Sequence, residues 1–213
     1  MKKEIMLDKP TVQKIINVAA PLFAKKGFAG VSVKEIAEAA GVNIALISYH
    51  FGGKENLYAT ILEAQFELVD KIISLVRKEE HCPIEKIKRF SQEFLKLNKS
   101  YPDIHRLIYG EIINSSTCYG TIVKPAVSRS HDFIAECLQA GISSGQIRSD
   151  IKPDCANILL ASVLHFYFFS NQLTDSFLAG GNDKAKYYMT EAVDIYLRGI
   201  LNNPTLRKME KKV

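Results

Sequence analysis

The 213-residue chain contains no Cys-x-x-Cys pair; its four cysteines, Cys82, Cys118, Cys137 and Cys155, lie far apart. Such spacing reads as small buried hydrophobes or ordinary thiols in a reducing compartment, so neither a metal site nor a disulfide is expected. No apolar run reaches the roughly 18 to 20 residues of a membrane span, and the nearest, residues 158–169, is interrupted by His165. The opening Met-Lys-Lys-Glu-Ile-Met-Leu-Asp has no sustained apolar core or small-residue cleavage site behind its lysines. A cytoplasmic protein with no membrane partner is therefore expected. Also missing are a Gly-rich phosphate loop, a Gly-x-Ser-x-Gly elbow and a His-Glu-x-x-His pair, and His81-Cys82 has no further ligands at metal spacing. These absences argue against an enzyme, and no catalytic residue, cofactor or metal is expected. Alternating β patterns, internal repeats and low-complexity tracts are lacking as well.

Arginine is absent from the first 54 residues, yet that segment is basic, with eight lysines against four acids. Residues 55–204 are slightly acidic, and the last nine carry Arg207, Lys208, Lys211 and Lys212 against Glu210. A positive excess confined to one segment suits phosphate binding, although a solvated lysine face gives the same count.

That segment also holds the most informative stretch, Ser32 to Lys54. Ser32 followed by Glu35 forms a capping box that starts one helix at Val33. Gly41 ends it in a left-handed conformation. Asn43 caps a second helix with its body from Ile44 to Phe51. Two short helices this close, with small Ala37 and Gly41 and apolar Ile47 between them, have the spacing of a helix-turn-helix whose second member enters the DNA major groove. Ahead of it, Val12, Ile15, Ala19, Leu22 and Phe23 define a helix from about Asp8 or Thr11 to Lys26, with a kink expected at Pro21. Behind it, Leu57, Ile61, Ala64, Leu68, Ile72 and Leu75 mark a long amphipathic connector.

Further helices are expected over Ile84–Ser100, Ile104–Asn114 behind Asp103, Val123–Ser143, Pro153–Leu173, and from Asp183 or Asn182 to Ile200. Ser115, Ser116 and Gly120 read as a loop. The fold class is thus all-α, about nine helices in total: a three-helix DNA-binding domain at residues 1–53 and a larger helical domain at 54–213 for effector binding and dimerisation.

The first 60 or so residues resemble the TetR family of bacterial transcriptional regulators. The likeness rests on Ala19-Ala20, Leu22-Phe23-Ala24, Gly27-Phe28, Ser32-Val33, Ile36-Ala37, Ala40-Gly41-Val42 and the run from Ser48 to Tyr58. Within that run, Tyr49-His50-Phe51-Gly52-Gly53-Lys54-Glu55 is similar to the signature of a subgroup that includes regulators of drug sensitivity and export. The resemblance implies a homodimer that binds a palindromic double-stranded DNA operator and releases it when a small molecule enters the C-terminal domain. Carried over by position, base reading falls on Lys34, Ile44, Ala45 and Ser48, and phosphate contact on Ser32, Tyr49, His50 and Lys54. Asn43 joins them as the cap of a helix N-terminus, where backbone N–H groups favour an anion. Ser48 stands where many members have tyrosine, and Ile44 and Ala45 replace commoner polar and glycine residues. Operator contacts should then lean on thymine methyls and the Ser48 hydroxyl.

The aromatic run around His165, with Phe94, Tyr109 and Phe133, suggests an apolar or aromatic effector. Within it Phe166, Phe169, His165 and Gln172 share an arc and are the pocket candidates on that helix. The last two helices are expected to pair with their copies in a four-helix dimer seam. An architectural or partner-regulated DNA-binding protein of the same fold, with no small effector, is the alternative.

Overall fold

The computed structural model describes residues 10–202 apart from 115 and 180. The expected start at Asp8, the outermost lysines, Ser115 and the basic run after Pro204 lie outside the described residues. Among the described residues there are nine α-helices and no strand: α1 Pro10–Lys26, α2 Val33–Ala40, α3 Ile44–Phe51, α4 Lys54–Glu79, α5 Pro83–Ser100, α6 Ile104–Ile113, α7 Lys124–Ser143, α8 Pro153–Thr174 and α9 Lys184–Ile200. No helix among them is long and apolar enough to cross a membrane. The described residues form two compact units. The first takes those up to Leu68 together with Tyr101–Val127, and the second takes Val69–Ser100 together with those from Ser128 onward.

Small departures from the expected elements have local causes. Pro21 sits inside α1 without ending it; it and Asn17 are exposed, so water can reach the Asn17 carbonyl that loses its helical partner. Asp103 occupies the N-cap position of α6 but its side chain makes no capping bond, because its backbone is already helical there. The segment read as a loop through Gly120 is instead a π-helical turn, Tyr119–Val123, that runs straight into α7. Pro125 then falls in the first turn of α7, directly after that π-helical turn.

In the first unit the core is one cluster: Ile15, Ala19 and Phe23 of α1, Ile36 and Ala40 of α2, Ile47 and Phe51 of α3, Leu57, Tyr58 and Ile61 of α4, and Leu107 and Ile108 of α6. A polar knot lies at its edge. Glu111, at 2% exposure, accepts a hydrogen bond from the Tyr58 hydroxyl at 2.9 Å. The Ser116 hydroxyl donates to the same carboxyl at 2.7 Å and the Ser116 N–H at 3.3 Å. A buried carboxyl is tolerated when its acceptors are filled this way. Burial and the neighbouring carboxylate push the Tyr58 phenol far above its ordinary range, so it stays protonated as the donor.

In the second unit α8 packs on α9 and α5, and α5 on α9. Tyr196 of α9 donates to the Ala156 carbonyl of α8 at 3.0 Å, and the Asn157 amide of α8 to the His131 carbonyl of α7 at 2.8 Å. The connector after α7 crosses it closely. A methyl group on Gly141 would lie 2.6 Å from the Ile147 side chain, so a larger residue there would have to displace Ile147. Ile147 makes an isolated antiparallel bridge with Leu201.

Tyr58→Phe is expected to lower the unfolding free energy by about 1.5–3 kcal/mol, the usual range for a hydrogen bond to a charged buried group. Urea unfolding measures this; an unchanged midpoint would show that water replaces the phenol and that the knot contributes nothing.

Candidate nucleic-acid interface

The helix-turn-helix forms as two capped eight-residue helices. Ser32 Oγ accepts from the Glu35 N–H at 3.1 Å. The reciprocal half of the capping box is replaced by an ion pair, since the Glu35 carboxylate meets Lys26 Nζ at 2.5 Å. That lysine holds the Glu35 carboxyl below its ordinary pKa. Gly41 ends α2 at φ +58°, and Gly41 and Val42 donate back to the Glu38 and Ala37 carbonyls. Asn43 Oδ1 accepts from the Ala45 N–H at 2.9 Å and starts α3.

Burial sorts the two helices by face. Ile36, Ala37 and Ala40 of α2 and Ile47 and Phe51 of α3 are in the core. On the opposite side Asn43, Ile44, Ala45, Ser48 and Tyr49 are exposed, at spacings that put them on one surface of α3, and Ser32 and Lys34 are exposed on α2. Ile44 is 48% and Tyr49 66% exposed; large apolar surface on so short a helix is anomalous unless something covers it. The Tyr49 ring sits edge-on to His50 with centroids 5.0 Å apart, and His50 is half-buried beside Phe51. The expected DNA-facing residues on α3 are therefore brought together.

Lys54 is placed differently from the others. Its ammonium donates to the carbonyls of Phe28 at 3.1 Å and Val31 at 3.0 Å, and lies 4.3 Å from the centre of the Phe28 ring. It fastens the loop that delivers Ser32 to the foot of α4, leaving one of its three N–H groups for any further partner. Phe28 in turn packs on Tyr58, which packs on Phe23. Nothing in the spacing of Lys54 in the sequence shows this loop contact.

Residues 15–61 match the family model described as bacterial regulatory proteins, tetR family. Those residues are similar to the N-terminal segment of that family, and the fold is TetR-like. In sequence, it is 33% identical over 109 residues to the "Probable HTH-type transcriptional regulator YttP" of Bacillus subtilis, a match spanning 50% of this chain and 53% of that protein. It is 24% identical over 195 residues to the HTH-type transcriptional repressor NicS of Pseudomonas putida, covering 89% of this chain and 92% of the relative. In structure, it superposes on the ketosteroid transcriptional regulator KstR2 of Mycobacterium tuberculosis with a TM-score of 0.78 at 17% identity, covering 92% of this chain and 97% of the other. At that identity the likeness concerns the fold.

The residues expected to hold an effector are not all gathered. In this TetR-like chain Phe94 lies edge-on to His165 with centroids 4.9 Å apart, and Phe90 bridges Phe94 and Phe133 at 6.1 and 5.5 Å. Phe166 and Phe169, by contrast, are 52% and 57% exposed. Gln172 is exposed as well. Tyr109 belongs to the other compact unit. For Phe166 the difference follows from the helical period: adjacent residues of α8 diverge by about 100°, so His165 and Phe166 cannot share a wall. A groove of about 200 Å³ between α5 and α9 is lined by Ser91, Leu95, Met189, Val193 and Leu197, none of them singled out in the sequence.

Two outcomes are expected. Lys54→Met should lower the melting midpoint by about 2–6 °C, the size of a loss of one or two hydrogen bonds in a chain of this length; an unaltered midpoint would show that the loop contact adds no stability. For His165, burial pushes the imidazole down to about 4 from its ordinary 6.5. Between those values the unfolded chain takes up a proton that the folded chain refuses, so stability should fall as pH drops from about 6.5 to about 4, by at most ~1.4 kcal/mol per pH unit. Urea unfolding of His165→Gln across that window should show a shallower fall than the wild type.

Proposed function

We propose that the chain is a dimeric transcriptional repressor that reads a palindromic DNA operator with α3 and leaves it when a small apolar or aromatic molecule binds the second unit. The observation that carries the DNA half is the outward face of α3, where Ile44, Ala45, Ser48 and Tyr49 are exposed on a helix whose other face is fully committed to the core. Ile44 and Ala45 suit thymine methyls, Ser48 offers a hydroxyl to a base edge, and Lys34 stands beside them on α2. Ser32, Asn43, Tyr49, His50 and the remaining N–H of Lys54 would position this face on phosphates.

Dimerisation is supported by α8 and α9. Ile158, Leu159, Phe166, Phe169 and Leu173 are exposed on α8 and Ile195 on α9. Leu159, Phe166, Phe169 and Leu173, at steps of seven, three and four residues, make a stripe that a second copy of the same helices would cover. Phe166 and Phe169 fit this seam better than a pocket. For the effector, Phe94, Phe133 and His165 supply aromatic walls, and the imidazole, neutral near pH 7, adds no charge that would demand an ionic partner.

Selection of binding sequences from random duplexes tests the proposal. The expected yield is two-fold symmetric sites, with a dimer in sedimentation, and Ser48→Ala should change which bases are preferred. A chain that sediments as a monomer at micromolar concentration, or one that selects no symmetric site, would overturn it. Equal weakening on every duplex by Ser48→Ala would remove Ser48 from base reading.

A further inference from the structure

Five lysines fall between residues 10 and 54: Lys14, Lys25, Lys26, Lys34 and Lys54. Three have partners within the fold. Lys26 is paired with Glu35, Lys34 lies 3.8 Å from Glu38, and Lys54 is held by two loop carbonyls. Lys25 stands in the last turn of α1, where a positive charge complements the carbonyl end of the helix. Lys14 is different. It projects from the exposed stripe of α1 that also carries Gln13 and Asn17, and it makes no ion pair with a described carboxylate. Its ammonium lies over the turn of the helix-turn-helix: a methyl group on Gly41 would sit 3.5 Å from Lys14 Nζ. Two residues further on, Asn43 starts α3, and that helix N-terminus adds a partial positive charge beside the ammonium.

We infer that Lys14 is a phosphate-binding positioning residue of the DNA complex, anchoring the backbone at the turn between α2 and α3. The inference rests on the DNA-binding reading above. It assigns the role to an uncommitted charge on a helix outside the motif, brought there by the packing of α1 on α2. A lysine in this place has one structural competitor, support for the carbonyl end of α2, and the two separate in experiment. A phosphate contact changes the salt dependence of binding, whereas support for α2 changes only stability.

The test uses the full chain as wild type, Lys14→Gln, Lys14→Arg and Lys186→Gln, the last removing an equal charge from an exposed position on α9. The probe is a labelled mixed-sequence duplex of about 30 base pairs, followed by fluorescence anisotropy between about 50 and 200 mM potassium chloride. Lys14→Gln is expected to reduce the slope of log K against log salt by about 0.9 for each protomer bound. Lys14→Arg should keep the wild-type slope, and Lys186→Gln should change it far less. An unaltered slope for Lys14→Gln, with or without a lower melting midpoint, overturns the assignment, as does an equal loss in Lys186→Gln. Failure of the wild-type chain to bind the duplex at the lowest salt overturns the DNA-binding reading itself.

Discussion

An eight-residue helix is not stable alone in water, because nucleation is unfavourable and too few bonds follow it. Both helices of the DNA-facing motif are of that length, so their existence depends on what lies behind them. Three supports act together. Ser32 and Asn43 satisfy backbone donors at the two N-termini, and Gly41 and Gly52 close the C-termini in left-handed conformations. The buried faces insert Ile36, Ala40, Ile47 and Phe51 into a cluster completed by Phe23, Leu57 and Ile61. The loop before α2 is held through Phe28 and Val31 by Lys54. Without this backing Ile44, Ser48 and Tyr49 would have no fixed geometry, whatever their chemistry.

The same accounting changes the meaning of the positive charge. A count of eight lysines against four acids in the first 54 residues treats each ammonium as available. In the fold, Lys26 and Lys54 are committed to a carboxylate and to loop carbonyls, and Lys34 is shared with Glu38. The electrostatic contribution to DNA binding then depends on position as well as number. A surface lysine with no internal partner, near a helix N-terminus, is better suited to a phosphate than one bound elsewhere.

Much of the fold is legible in the chain because local signals agree with the tertiary ones. Capping residues, glycines and the apolar period mark α2, α3 and the long α4 at nearly their observed ends. The outward face of α3 follows from the same period. What is not legible depends on contacts distant in sequence. The Tyr58–Glu111 bond spans 53 residues, and no motif announces that residues 101–127 share a compact unit with the N-terminal helices. The π-helical turn at 119–123 was hidden by Gly120 and by serines that usually mark loops. Lys14 is not marked in the sequence, because nothing in its neighbourhood there distinguishes it from other exposed lysines. On α8 a shared arc groups His165 with Phe166 and Phe169, yet both phenylalanines are more than half exposed while His165 meets Phe94.

That separation bears on how one helix can serve both assembly and ligand response. α8 is apolar on most of its circumference. One arc, with Leu160, Leu164 and Tyr167, is buried within the unit, and His165 meets Phe94 from α5. The other arc leaves Ile158, Leu159, Phe166, Phe169 and Leu173 to solvent. Apolar side chains of this size that are more than half exposed gain on burial, so five on one helix favour association against its entropic cost. If a second copy covers that stripe, α8 is fixed from outside, and a ligand at Phe94 and His165 acts on a helix that cannot simply move away. Its displacement would have to be taken up by the helices within the unit, among them the part of α4 beyond Val69. α4 is one continuous helix that begins at Lys54, the residue that holds the loop leading into α2. Under the proposed function, covalent continuity of that helix is one route by which a change at the aromatic cluster can reach the DNA-facing residues.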